Sequence, residues 1–245
     1  KAGKLELYDG TLRIIAEDGA PLEEFDPRRY GDVLGEHVED WSYMKFPFYK
    51  KQGFVEGVYR VAPLARLNVA EAISTPIANK ELVEFKKLGG GHPVHETLYY
   101  HYARLIELLY AVERAQELIN DDEIVSEDVR VKVDRRKGEG VGVIEAPRGT
   151  LIHHYWADES GKIEKANIIV ATAHNNAAIN RSVNEVAKEF VKGGKIEEGA
   201  LNMVEMAVRC YDPCLSCATH AIGQMPLEIS LLDADGKMVD TVERS

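Results

Sequence analysis

The chain has 245 residues, 45% of them hydrophobic and 29% charged, with a formal net charge of −11. That length allows one large domain or two small ones around a sizeable core, and the acidic balance excludes a general nucleic-acid binder, which would present a basic face. No run approaches the roughly eighteen apolar residues of a membrane-spanning helix, no signal peptide opens the text, and three cysteines crowded between 210 and 217 make no disulfide framework, so a reducing cytoplasm is expected.

The sequence opens on Lys1-Ala2-Gly3, without a methionine, and runs straight into strand-like text. This is expected of a chain that starts partway through a longer polypeptide, a tag remnant being the alternative. Residues 4–26 read as a hairpin or meander, with Leu5, Leu7, Leu12 and Ile14 alternating around Asp9-Gly10 and a second turn at Asp18-Gly19. After Asp26-Pro27, residues 28–40 read as a short polar helix, and Trp41 to Tyr49 as an aromatic cluster in a loop broken by Pro47. Pro63-Leu64-Ala65-Arg66 reads as a proline turn and a helix start, its arginine free to pair or cap. Residues 69–88 look helical but are broken by Pro76, and Gly89-Gly90-Gly91 is a connector with no phosphate-loop lysine after it.

The longest helix signal spans about 94–119, where Leu98, Tyr102, Leu105, Leu108, Leu109, Val112, Ala115 and Leu118 recur at three- and four-residue steps. His95 and His101 are six apart and fall on different faces, so they read as surface or packing residues. Arg104 and Glu107 read as an ion pair three residues apart or as contacts to another element. Residues 121–140 form a charged, exposed loop. Val141 to Ala146 and Leu151 to Trp156 then alternate as two strands around Pro147-Arg148-Gly149, a fixed turn able to hold a guanidinium over a site. Ile163 to Val170 is a third strand, and His174 in the polar string 172–176 reads as a cap or a buried hydrogen-bonding group. Helices follow over about 177–192 and 198–208, and Cys210 reads as a buried thiol.

Tyr211 to His220 carries the chemistry. Cys214 and Cys217 have a spacing that lets two thiolates converge on one soft or borderline metal. Asp212-Pro213 stops the preceding helix and turns the chain. A bare Cys-x-x-Cys also serves zinc knuckles, redox dithiols and cluster ligands.

The longer string Asp-Pro-Cys-x-x-Cys-x-x-His resembles the signature near the end of the large subunit of nickel–iron hydrogenases, and Glu145-Ala146-Pro147-Arg148-Gly149 with Leu151 and His153 is a second such string. Softer likenesses lie at Lys45-Phe46-Pro47, at residues 63–66, along the helix from Tyr99 to Glu113, and at residues 172–182. The resemblance implies an α+β fold, mainly helical, with long packed helices and small antiparallel β-sheets, as one domain over 1–220. It implies reversible heterolytic cleavage of dihydrogen at a nickel–iron centre whose iron carries carbon monoxide and cyanide. Cys214 would be the terminal nickel thiolate and first proton acceptor, Cys217 a bridge between the metals, and Arg148 the donor to a cyanide with Pro147 packed beside it. Asp212 would pair with Arg148, and His220 would hold a magnesium ion. The other two cysteines would come from a missing first half.

The electron partner implied by the same resemblance is an iron–sulfur small subunit. Beyond it would lie an acceptor subunit linked to a heterodisulfide reductase, a deazaflavin or a nicotinamide, with the soluble heterodisulfide-linked group favoured. A maturation endopeptidase would cut after His220 and remove 221–245, whose strand-like text turns at Asp235-Gly236. Neither a nucleic-acid partner nor a membrane span is expected. Two other readings stand beside it: a structural subunit with a zinc knuckle at Cys214, Cys217 and His220, and a relative of the quinone-site subunit of respiratory complex I, a group that lacks the metal-binding cysteines.

Overall fold

The computed structural model describes residues 3–132, 137–192, 194–196, 198–219 and 227–244. Strands β1 (Leu12–Ile15) and β2 (Pro21–Phe25) form the first antiparallel pair. The residues before them leave the expected hairpin: Leu5 N–H donates to Ala72 O at 2.8 Å, and Leu7 O accepts from Glu145 N–H at 2.9 Å. This opening stretch ties the helical layer to the later sheet.

Residues 28–40 depart from the expected helix. A 3-10 turn and one turn of helix, α1 (Tyr30–Val33), lead directly into strand β3 (Leu34–Glu39). Its antiparallel partner β4 (Ser42–Tyr49) is the aromatic stretch expected to be a loop, with Pro47 opposite Glu36. A sheet of only two strands has unpaired edges on both sides, so a proline without an N–H is tolerated there.

The helical part follows as α2 (Gly53–Glu56), α3 (Pro63–Val69), α4 (Pro76–Leu88) and α5 (Tyr99–Ile119). Pro63 opens α3 as read, and Pro76 opens α4 instead of breaking a helix, because the first turn has no use for the missing N–H. Leu64, Leu67, Leu82, Phe85, Tyr100, Ala103 and Ile106 interlock as the main core, which Tyr211 and Cys210 complete. Helix α5 buries Tyr100, Ala103, Ile106 and Tyr110. Leu98, Leu105, Leu108, Val112 and Leu118, read from the periodicity, lie exposed. The helix is therefore apolar on two sides, and only one is covered within the described residues.

Strands β5 (Gly138–Ala146), β6 (Gly149–Ala157) and β7 (Ile163–Ile169) form an antiparallel sheet in that order. Ala146 pairs with Gly149, leaving Pro147 and Arg148 at the tip. Ile152 and Ile169 from this sheet join Phe25, Tyr30, Leu34 and Tyr49 in a second core. Helices α6 (Asn176–Phe190) and α7 (Glu198–Cys210) pack together, and α8 (Leu215–Thr219) follows the cysteine turn. A last hairpin, β8 (Leu227–Leu232) with β9 (Met238–Arg244), turns over Asp233 to Lys237. No helix among the described residues is long and apolar enough to cross a membrane. The architecture is α+β, mainly helical with small antiparallel sheets.

Candidate metal centre

Helix α7 ends at Cys210, and the residues beyond it shape the site. Tyr211 and Asp212 N–H groups donate back to Val208 O and Arg209 O, at 3.1 and 3.0 Å. Asp212 has φ +50°, the left-handed conformation that closes many helices and that aspartate tolerates better than most residues. Pro213 then forbids any continuation. Cys214 O accepts from Ala218 N–H at 3.0 Å and opens α8, which carries Cys217 three residues on.

The Cα atoms of Cys214 and Cys217 are 5.4 Å apart, and their sulfurs are joined as a disulfide. Metal ligation requires the opened dithiolate form of the same pair. Cys217 is exposed and Cys214 half-buried. Cys210, by contrast, is fully buried, and its thiol donates to Met206 O at 3.1 Å. A zinc knuckle that recruits Cys210 as its fourth ligand is thereby disfavoured, since a structural zinc site needs a closed tetrahedral set. Among the described residues, no group of three or more His, Cys, Asp or Glu is placed to hold a metal ion. His220 lies outside the described residues. The donor set therefore suits a soft or borderline metal, but as two sulfurs of a larger set.

Arg148 meets this turn from the sheet. Its Nε donates to Asp212 O at 2.7 Å and lies 3.2 Å from Asp212 Oδ2. The structure thus brings Arg148, Pro147, Asp212, Cys214 and Cys217 to one place, although Arg148 and Cys214 are 66 residues apart by their numbers. Gly149, beside Arg148, has φ +129°, and a Cβ there would stand 2.3 Å from Val61 Cγ2. Only glycine lets the hairpin tip approach so closely.

Several supporting residues were not legible as such. Thr172, from the 3-10 turn before α6, is buried, and its Oγ1 accepts from Cys214 N–H at 3.1 Å. Asn175 Oδ1 accepts from Val61 N–H at 2.9 Å. The buried His174 places Nδ1 2.5 Å from the Tyr59 hydroxyl, while Nε2 has no partner among the described residues. Burial holds its pKa down to about 3 and pushes the Tyr59 phenol well above its ordinary range. Tyr211 bonds Ser182 Oγ at 2.9 Å and packs 4.8 Å from the Tyr100 ring, and Arg104 donates to Cys210 O at 2.9 Å. Of the two readings for Arg104 and Glu107, contacts to other elements hold: Arg104 reaches Cys210 and Glu107 turns to Arg66. Polar residues clustered between a strand and a helix, as at 172–176, are the local signal for the supporting residues there, beside the family likeness over 172–182. Beside the cysteine turn lies a small cavity of about 100 Å³ among Trp41, Met44, Phe46, Ile179, Pro213 and Leu215. The larger groove, about 720 Å³, runs between the first hairpin and α3 and does not include the cysteines.

Comparison with known proteins identifies the family. The family model described as nickel-dependent hydrogenase matches residues 13–220. The NAD-reducing hydrogenase HoxS subunit beta of Cupriavidus necator is 47% identical over 239 residues, covering 96% of this chain and 49% of its own length. A subunit of the F420-non-reducing hydrogenase of Methanothermobacter thermautotrophicus is 44% identical over 247 residues, covering 99% of this chain and 52% of its own. A solved NAD+-reducing NiFe hydrogenase in the H2-reduced state superposes with a TM-score of 0.82 at 45% identity, over 89% of this chain and 48% of that one. The chain spans about half the length of these relatives. On family match and identity alike, it belongs to the nickel-dependent hydrogenase family.

Proposed function

We propose that this chain supplies the second pair of metal ligands and the overhanging arginine of a hydrogenase catalytic subunit, which cleaves dihydrogen reversibly and heterolytically. The observation that carries the reading is the meeting of Cys214, Cys217, Arg148 and Asp212 at one turn. In the reduced form, Cys214 and Cys217 would both serve as thiolate ligands to a nickel–iron centre. When bound, that centre, its iron carrying carbon monoxide and cyanide, would supply an electron-pair acceptor for dihydrogen. The thiolate of Cys214 is the base for the proton, because a guanidinium such as that of Arg148 offers N–H donors and no acceptor. Arg148 donates hydrogen bonds over the site, and Asp212 keeps it aimed there through its carbonyl and carboxylate. His220 would hold a magnesium ion.

Two sulfurs do not complete the centre, so the other ligands must come from elsewhere in a longer polypeptide. Support for this lies in the uncovered side of α5, where Leu105, Leu108 and Val112, with Leu98 just before the helix, are exposed along one face. Electrons would pass to an iron–sulfur small subunit. The names of the relatives support an acceptor linked to a nicotinamide, or one other than F420, and a heterodisulfide-linked acceptor would suit the second. Residues 221–245 would be removed by a maturation endopeptidase, and the enzyme would work in the cytoplasm. Elemental analysis of the full-length, natively purified polypeptide tests the reading. About one nickel per chain with iron is expected from the donor chemistry, and it should be lost in Cys214→Ser or Cys217→Ser. Zinc alone would move the assignment to a structural knuckle.

A further inference from the structure

Arg66 lies on α3 and is buried, yet its donors reach into both halves of the fold. Nε and Nη2 grip the Glu107 carboxylate of α5 at 2.7 and 2.6 Å. Nη1 donates to Glu145 Oε2 at 2.9 Å and to Ala146 O at 2.8 Å, and Nη2 also donates to Pro147 O at 3.1 Å. One guanidinium thus holds the last two residues of β5 and the residue preceding Arg148. The clamp continues across the hairpin: the other Glu145 oxygen accepts from Thr150 Oγ1 at 2.5 Å, on β6. On the far side of Arg148, Gly149 is seated against Val61 and the carbonyl of Ala171.

Such an arrangement is costly to build. A buried cation is expensive unless geometry and hydrogen bonds compensate it, and burial alone would lower the Arg66 pKa. The hydrogen bonds and charges of Glu107 and Glu145 outweigh that and raise it. A simple helix-to-helix pair would need only Glu107. The remaining bonds all end on the strand and tip that carry Arg148, whose own half-exposed side chain pairs with the Asp212 carboxylate.

We propose that Arg66 is a positioning residue: by clamping Glu145, Ala146 O and Pro147 O against α5, it fixes where the Arg148 guanidinium stands relative to the cysteine turn. The inference rests on the reading of Arg148 given above, but its structural half can be measured separately. Arg66→Lys keeps the charge while its point-like ammonium lacks the planar fork that serves two carboxylates and two carbonyls together. Glu107→Gln loosens the clamp from the opposite end. Leu82→Ala is the control, a buried core truncation on α4 that lowers stability without touching the clamp.

The test uses the full-length enzyme with its metal loaded. Labelling of Arg148 by phenylglyoxal is followed by peptide mass spectrometry, beside nickel content, melting temperature, and kcat and KM for dihydrogen oxidation. Arg66→Lys and Glu107→Gln should speed labelling at Arg148 severalfold and lower kcat by about a hundredfold, as small misplacements of a positioned group do. Nickel content should stay unchanged, and Leu82→Ala should lower only the melting temperature. The proposal is overturned if Arg66→Lys merely lowers the melting temperature, with labelling and kcat unaltered. Faster labelling without loss of turnover, in an enzyme where Arg148→Lys is also fully active, would uphold the clamp and sink the catalytic reading of Arg148.

Discussion

Replacing His174 with asparagine should flatten the pH dependence of stability, by an amount that follows from its burial. The imidazole is 1% exposed, its Nδ1 meets the Tyr59 hydroxyl, and its pKa is held down to about 3 by desolvation. In the unfolded chain a histidine titrates near about 6.5. The unfolded state therefore binds the extra proton between these values, and stability must fall as pH drops from about 6.5 toward 3. Above that window the contribution is fully present. The slope is about 1.4 kcal/mol per pH unit once titration is complete, and integration from pH 7 to 5 gives a loss of about 2 kcal/mol. With a denaturant slope of roughly 3 kcal/mol/M for a chain this size, the urea midpoint should move by about 0.6 M. The carboxamide in His174→Asn would still offer Tyr59 an acceptor but cannot ionise. The variant should therefore lack this increment while keeping that of every other group. Urea melts of both proteins at pH 7 and pH 5 isolate it as a difference of differences. Equal pH sensitivity in the two proteins would refute the argument, for it would mean that the ring is hydrated or charged in the folded state.

Gly149→Ala should cost about 2–4 kcal/mol, combining a strained positive φ with a forced contact on Val61; a melting curve unchanged from wild type would show that the hairpin tip relaxes freely. In the reduced chain, Cys214 and Cys217 should react with Ellman's reagent under native conditions. Cys210, fully buried with its thiol pKa pushed up by that burial, should react only after denaturation. Arg148→Lys should lower turnover of the loaded full-length enzyme by about a hundredfold or more, because one ammonium cannot meet both oxygens of Asp212, as Nε does, and still offer the further N–H donors of a guanidinium. Nickel content should be unaffected, and its loss would make the arginine a structural element of the site.

Much of the fold near the site is written in local text. Alternation on both sides of Pro147-Arg148-Gly149 is what a hairpin needs, and β5 and β6 form it with those residues at the tip. Asp212-Pro213 ends a helix for reasons internal to those two residues, and α7 stops two positions before them. The failures have equally specific causes. Residues 34–39 look polar because β3 is half of a two-stranded sheet with little to bury, so its alternation is faint. Pro47 reads as a breaker, yet its strand has a free edge. On α5 the periodicity is real, but the sequence carries apolar residues on two sides, and no helical period states which of them this chain covers itself.

The site divides along a different line. Donors that would face a metal announce themselves by residue type and spacing, and they are the more exposed members: Cys217, Arg148 and Asp212. What holds them is buried and comes from far away in the chain. Thr172 reaches Cys214 across 42 residues, Asn175 reaches Val61 across 114, and Arg66 reaches Pro147 across 81. No pattern within a window of sequence can reveal such contacts, because each depends on where separate elements come to rest. Their burial has a chemical consequence. A group that must hold its position while charge moves nearby gains from neighbours whose own hydrogen bonds are satisfied and whose rotamers are locked by packing. Arg66, Thr172, Asn175 and Tyr211 meet that condition, each buried and each bonded. The unremarkable strings at 63–66 and 172–176 are thus the rigid base on which the recognisable residues stand, and changing them should disturb the chemistry without touching a ligand.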